Sequence, residues 1–144
     1  MGRPGPATVI VADTSALVAV VFGEPERGAF VQRMEQAQRV LVSTVSVVET
    51  RMVVSGRRGQ RGVTLLDELF RLPMIELAPV GVVDMDAAYA AFVLYGRGSG
   101  HPAALNFGDV FSYALAKVRG LPLLFKGDDF ARTDIRPALI AAGG

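Results

Sequence analysis

Residues 9–16 read VIVADTSA: a short β-branched run, one acid, two hydroxyl residues and an alanine. Valine and isoleucine favour strands, and Thr14 or Ser15 suits the first turn of a following helix. In open α/β sheets, the carboxyl ends of parallel strands face the ligand cleft. The stretch therefore predicts a buried strand that places Asp13 in a cleft at one edge of a sheet.

The rest of the chain alternates similar strands with longer helical patterns. Strands are predicted at residues 8–12, 40–42, 74–78 and 121–125, and helices at 16–22, 26–38, 45–56, 62–71, 84–95 and 108–119. Such alternation is typical of a mostly parallel sheet covered by helices on both faces. The glycine-rich segment 96–107 is the clearest loop.

Composition limits the classes of protein. With 144 residues, 51% of them hydrophobic, the chain can bury the core of one domain. Its 15 basic and 14 acidic residues nearly cancel, so any nucleic-acid surface must be local. The absence of cysteine excludes disulfides and thiolate metal sites and fits the cytoplasm, where we expect the protein. Asp13 interrupts the N-terminal apolar run well short of the ~20 residues that a membrane span needs, so no membrane association is expected.

Further acids follow strands or begin helices elsewhere in the chain. They are Glu49 in STVSVVET, Asp109 in LNFGDVFSYALAK, and the neighbours Asp128 and Asp129 in LPLLFKGDDF. An ionised carboxylate beside apolar residues is costly unless it is compensated, and converging carboxylates are compensated by a hard divalent cation. Together with Asp13, these acids predict a metal site.

Each acid also has a simpler explanation. Asp13 and Asp109 could cap helices, the Asp128–Asp129 pair could form a turn, and Glu49 could be solvated on its helix. Their joint occurrence at positions that face the cleft favours the site. A buried stripe of Val45, Val48 and Met52 is predicted to turn Glu49 toward the sheet.

The fourth acid could be either member of the pair. Asp128 follows Gly127 and lies nearer the strand, whereas Asp129 precedes Phe130, whose ring should anchor the turn in the core. Asp128 is therefore the preferred fourth acid.

The motifs quoted above, with PLLFKGDDFARTDI at their end, resemble PIN-domain ribonucleases of the VapC toxin type. The resemblance runs in the family's order from residue 9 to about residue 135. It implies an α/β/α sandwich in which residues 9–137 form the PIN domain. Residues 1–8 would then be a flexible N-terminus and residues 138–144 a C-terminal tail.

The resemblance also implies an activity and partners. It implies an endoribonuclease that hydrolyses RNA with Mg²⁺, or Mn²⁺, held by Asp13, Glu49, Asp109 and Asp128 as catalytic and metal-binding residues. It further implies a VapB-like antitoxin and a homodimer. Local positive charge for RNA could come from residues spread over three segments: Arg51, Arg57, Arg58, Arg61, Arg97, His101 and Lys126.

Two other interpretations remain open. A phosphatase of the haloacid dehalogenase type also begins with an aspartate after a strand, but Ser15 stands where its second aspartate belongs, and the chain has no cap-sized insertion. The other is a catalytically silent module that binds RNA or protein with the same fold.

Overall fold

The computed structural model describes residues 7–140 and contains a four-stranded parallel sheet in the order β3-β2-β1-β4. The elements in chain order are β1 (Val9–Ala12), α1 (Thr14–Phe22), α2 (Arg27–Gln36), β2 (Arg39–Ser43), α3 (Thr44–Phe70), β3 (Ile75–Ala78), α4 (Val82–Tyr95), α5 (Phe107–Arg119), β4 (Leu123–Leu124) and a 3₁₀ turn (Phe130–Arg132). The predicted α/β class with a central parallel sheet is confirmed. Residues 1–6 and 141–144, which include most of the predicted flexible N-terminus and part of the predicted tail, lie outside the described residues.

The core lies on both faces of the sheet. One cluster packs Leu17, Phe30 and Met34 from α1 and α2 against alternate strand residues that include Ile10 and Val40. The other packs helices α4 and α5 against the remaining strand residues. Its members include Val11, Leu41, Ala88, Ala91, Val110, Leu115 and Leu123. Strand β1 is buried between β2 and β4, so the residue that follows it starts inside the protein. Within residues 7–140, no helix is both long and apolar enough to cross a membrane.

Helix α3 contains both helices that are predicted for this part of the chain. The sequence predicts helices at residues 45–56 and 62–71, and α3 consists of two helical halves joined at Gly59, which alone leaves helical geometry (φ 59°, ψ −153°). Arg51 Nη2 lies 3.2 Å from Asp67 Oδ1, although 16 residues of straight helix would span about 24 Å. Gly59 is therefore the apex at which α3 folds back on itself.

The buried face of α3 differs from its prediction. Val48 and Met52 are 56% and 69% exposed, so the predicted stripe of Val45, Val48 and Met52 is wrong. The residues that α3 buries in its first half are mostly small. They are Ser46, Val47, Thr50 and Val54. Small side chains are favoured there because α3 packs closely against helices α1 and α5.

A pair of alanine substitutions tests the apex. Gly59→Ala should lower the free energy of unfolding by about 1–3 kcal/mol, since this backbone region is open mainly to glycine. A Cβ at Gly59 would meet no atom within 4 Å, so backbone strain would be the only cost. Gly56→Ala, in the same helix and also in open space, should instead raise stability by about 0.5–1 kcal/mol. Urea unfolding of both variants measures the difference, and equal effects would contradict the kink.

Candidate functional site

Asp13 lies at the carboxyl end of β1 and begins α1. Its backbone N–H donates to the Leu124 carbonyl at 2.9 Å, and its Oδ2 accepts from the Ser15 N–H at 3.0 Å. The residue is 2% exposed, and its Oδ1 accepts no hydrogen bond from the described residues. Burial raises the pKa of Asp13, and the polar groups of Ser112, Ser15 and Thr14 near the carboxylate oppose that rise. The fold thus holds a carboxylate in the interior with one oxygen unpaired.

Glu49 reaches the same region from the first half of α3. Its carboxylate lies so close to Gly108 that a Cβ built on this glycine would overlap it. Burial raises the pKa of Glu49; a hydrogen bond from Thr14 lowers it, and the charge of Asp13 raises it. Gly108 is therefore needed at this position because it leaves room for the carboxylate.

Asp109 is held by the first turn of α5. Its N–H donates to Asn106 Oδ1 at 2.8 Å, and its Oδ2 accepts from the Asn106 N–H at 3.0 Å, which forms a capping box. Burial raises the pKa of Asp109 to about 7 against the effect of this backbone hydrogen bond, and the charges of Asp13, Glu49 and Asp129 raise it further. Four acids from separate parts of the chain therefore share one electrostatic environment.

The two candidates for the fourth acid face different surroundings. Of these two aspartates, Asp129 is the one whose charge raises the pKa of Asp109. Asp128 instead lines a groove of about 670 Å³ beside Phe30 and Lys126. Phe130 is buried, as expected for the residue that anchors this turn. This electrostatic effect supports Asp129 as the fourth acid, and the prediction of Asp128 stays a prediction.

A layer of buried hydroxyl groups lies beneath the acids. Thr50 Oγ1 donates to the Ser46 carbonyl at 2.6 Å and lies 3.2 Å from Thr14 Oγ1, and Ser46 Oγ lies 3.0 Å from Ser112 Oγ. These bonds join helices α1, α3 and α5, which carry or border Asp13, Glu49 and Asp109. Sequence reasoning missed Ser46, Thr50 and Ser112. The available signal was the spacing of these small polar residues. Ser46 and Thr50 are four residues apart in an apolar helix, and Ser112 follows Asp109 by three residues.

The donor set fits a hard divalent cation. The converging groups are carboxylates, which Mg²⁺ and Mn²⁺ prefer, and Asp13 Oδ1 lacks any other partner among residues 7–140. Within that part of the chain, no three His, Asp or Glu side chains are already arranged to hold a metal ion. The predicted metal set thus stays a prediction, which the chemistry of the donors supports.

Some of the predicted basic residues are engaged elsewhere. Lys126 Nζ pairs with Glu24 Oε1 at 3.3 Å and with Glu26 Oε2 at 2.9 Å. His101 Nδ1 accepts from the Ala103 N–H at 3.0 Å, so this histidine shapes its own loop. Both side chains therefore have partners outside the group of acids.

The sequence and fold match proteins of one family. The family model for the PIN domain matches residues 10–136. The chain is 46% identical over 126 residues to VapC ribonuclease Mb0640 of Mycobacterium bovis, covering 88% of this chain and 95% of that protein. It is 43% identical over 129 residues to ribonuclease VapC42 of Mycobacterium tuberculosis, covering 90% and 98%.

Solved structures share the fold at lower identity. VapC20 of Mycobacterium tuberculosis, described as a sarcin-ricin loop cleaving toxin, matches with a TM-score of 0.73 and 19% identity, over 88% of this chain and 95% of that one. A chain of VapBC2 from Rickettsia felis, bound to a promoter DNA fragment, matches with a TM-score of 0.70 and 11% identity, over 90% and 96%. A toxin-antitoxin complex from Klebsiella pneumoniae gives 0.61 and 17%, over 85% and 90%.

The family model covers most of the chain, and the chain belongs to the PIN-domain family. Within that family it is a ribonuclease of the VapC type. The phosphatase interpretation is therefore wrong. The resemblance noted in the sequence is confirmed over most of the chain.

The contact between Gly108 and Glu49 generates a prediction. Gly108→Ala should displace the Glu49 carboxylate, which is the flexible end of its side chain, and so leave the melting temperature nearly unchanged. RNA cleavage should fall on the order of 100-fold, because misplacing a catalytic group by about 1 Å has such an effect. Gly28→Ala, in open space on α2, is the control. Wild-type cleavage rates in Gly108→Ala would exclude a role for Glu49.

Proposed function

We propose that this chain is the toxin of a toxin–antitoxin pair and acts as a divalent-metal-dependent endoribonuclease. Asp13, Glu49, Asp109 and Asp129 form its active site, with Mg²⁺ as cofactor and Mn²⁺ as a substitute. The observation that carries the proposal is the buried Asp13 carboxylate, whose Oδ1 has no donor among the described residues. A divalent cation would compensate this charge and the neighbouring acids. We place the reaction in the cytoplasm.

The four acids would have different roles in the reaction. Asp13 and Asp109 would hold the cation, which when bound lowers the pKa of water and neutralises charge on the phosphate. Glu49, whose pKa burial raises, would orient the attacking water and accept its proton. Asp129, exposed at the rim, would act through a water molecule. Ser15 would keep Asp13 in place, because its N–H binds Oδ2.

Substitution of the neighbouring aspartates tests the assignment of the fourth acid. Asp129→Asn should lower cleavage by about 10–100-fold, as is usual for groups that act around a metal ligand. Asp128→Asn, with the same charge change one residue away, should cleave at the wild-type rate. Both variants should melt like the wild type. The reverse pattern would restore Asp128 as the fourth acid and leave the nuclease proposal intact.

The activity itself is tested with Asp109→Asn. This variant should lose cleavage of structured RNA in Mg²⁺ yet unfold at a higher temperature than the wild type in EDTA, because one repelling, buried charge is removed. Wild-type protein should cleave RNA in Mg²⁺ but not in EDTA. If the wild type cleaves no RNA in Mg²⁺ or Mn²⁺, the chain is the silent binding module instead.

An antitoxin would bind a groove beside α1. The groove has a volume of about 270 Å³ and is lined by apolar residues with two charged residues at its edge: Val20, Val21, Leu65, Leu69, Leu72, Arg27 and Glu68. Such a surface suits an amphipathic helix. Similarity to chains of toxin–antitoxin complexes supports this partner. A basic residue of the antitoxin could then extend along α1 to the acids and replace the metal charge.

A second copy of the chain would cover a different face. Two grooves of about 660 and 520 Å³ share Phe107 and expose large apolar side chains: Val48, Met52, Met85, Tyr89, Phe92 and Phe107. Monomers rarely expose so much contiguous apolar surface, and homodimer interfaces are rich in it. Glu49 lines the first groove, so the dimer would form next to the active site.

Three substitutions to aspartate separate the two partner surfaces. Leu65→Asp should abolish co-purification with the antitoxin encoded by the neighbouring reading frame while the toxin keeps its dimer mass in light scattering. Tyr89→Asp should reduce that mass to a monomer. Ile140→Asp, at an 82% exposed residue in another groove, should change neither. If Leu65→Asp and Tyr89→Asp exchange their effects, the two surfaces are exchanged.

A further inference from the structure

Three arginines at the apex of α3 carry charge that no described acid neutralises. Arg57, Arg58 and Arg61, here named the arginine tip, flank Gly59 and are all exposed. Four other basic side chains form ion pairs: Arg39 with Glu76, Arg51 with Asp67, Lys117 with Asp134, and Lys126 with Glu24 and Glu26. Among residues 7–140, the arginine tip has no such ion pair. It is a local positive surface on a chain of near-zero net charge.

An aromatic ring orders two of these arginines. The guanidinium carbons of Arg57 and Arg58 lie 5.2 and 5.1 Å from the ring centre of Phe22, at the end of α1. Cation–π contact holds a guanidinium against the ring while its N–H groups remain free. A planar, ordered guanidinium binds a phosphate through two parallel hydrogen bonds. The arginine tip is thus arranged to receive an anion.

The arginine tip and the acids lie at opposite ends of α1. Thr50 contacts Thr14, and Arg58 contacts Phe22. In both pairs the two residues are 36 positions apart in the sequence. Helix α1 and the first half of α3 therefore run side by side in one direction. Thr14 follows Asp13, and Thr50 follows Glu49, so the arginine tip is about 12 Å along these helices from the acidic site.

We propose that the arginine tip is a phosphate-binding subsite for the RNA substrate. It would hold the RNA backbone a few nucleotides from the bond that is cleaved. This inference rests on the proposed nuclease function. The acidic site repels RNA, so binding needs positive charge within reach but outside the metal site. The arginine tip provides that charge at a distance that a dinucleotide bound at the acids does not span.

The test measures KM and kcat for a long single-stranded RNA and the cleavage rate of a dinucleotide. In Arg57→Gln/Arg58→Gln, KM for the long RNA should rise while kcat and dinucleotide cleavage stay at wild-type values. The salt dependence of 1/KM should weaken by about 1.4 on logarithmic axes, since each lost contact to a single strand contributes about 0.7. Arg71→Gln/Arg119→Gln, which removes equal charge at exposed residues elsewhere, should leave KM nearly unchanged.

Two further variants separate charge from geometry. Phe22→Leu keeps every charge but removes the ring, so it should also raise KM for the long RNA. Arg57→Lys/Arg58→Lys keeps the charges without planar groups and should give an intermediate KM. This second pair preserves the test if the glutamine variant melts early. Wild-type KM values in both Phe22→Leu and Arg57→Lys/Arg58→Lys would exclude a role for the contact between the Phe22 ring and the two arginines.

Other outcomes overturn the inference in distinct ways. An equal rise of KM in the Arg71/Arg119 variant would mean that net charge alone matters. If Arg57→Gln/Arg58→Gln keeps KM but loses co-purification with the antitoxin, the arginine tip binds protein and not RNA. If the wild type cleaves neither the long RNA nor the dinucleotide, the proposed function is overturned, and this inference with it.

Discussion

The burial of one carboxylate constrains the whole site. Asp13 follows a strand that is enclosed on both sides, and its side chain lies in the interior. The Ser15 N–H satisfies one oxygen, while the other has no donor among the described residues. Leaving such a group unpaired costs about 1–3 kcal/mol, and more when it is charged. The neighbouring acids increase this cost, and a cation would reverse it.

The surrounding structure keeps the acids close in spite of their repulsion. Hydroxyl bonds among Thr14, Thr50, Ser46 and Ser112 fix α1, α3 and α5 to one another, and Gly108 leaves space for Glu49. The pKa of Asp109 is raised from 3.8 to about 7, so the folded state binds the proton more tightly than the unfolded chain. Metal-free protein therefore loses stability as the pH rises from about 4 to about 7.

The sequence predicted the elements that have a clear local pattern. Strand β1 and the acid after it follow from VIVADTSA, and the capping role of Asn106 and Asp109 places α5. The buried face of α3 could not be predicted, because Ser46 and Thr50 are buried only through contacts with distant helices. The break near Gly59 follows from the glycines of this segment, whereas the fold-back of the second half of α3 onto the first depends on tertiary contacts. The choice between Asp128 and Asp129 depends on tertiary packing around Phe130.

The most direct test of the account is the titration of the Asp109 carboxyl carbon by NMR, first in EDTA and then in Mg²⁺. In EDTA the midpoint should lie near pH 7, because the carboxyl is buried among other acids. Saturating Mg²⁺ should lower the midpoint markedly, since the cation favours the ionised form. The Asp109→Asn spectrum assigns the resonance. A midpoint near the ordinary aspartate value, about 4, both with and without Mg²⁺, would contradict the account.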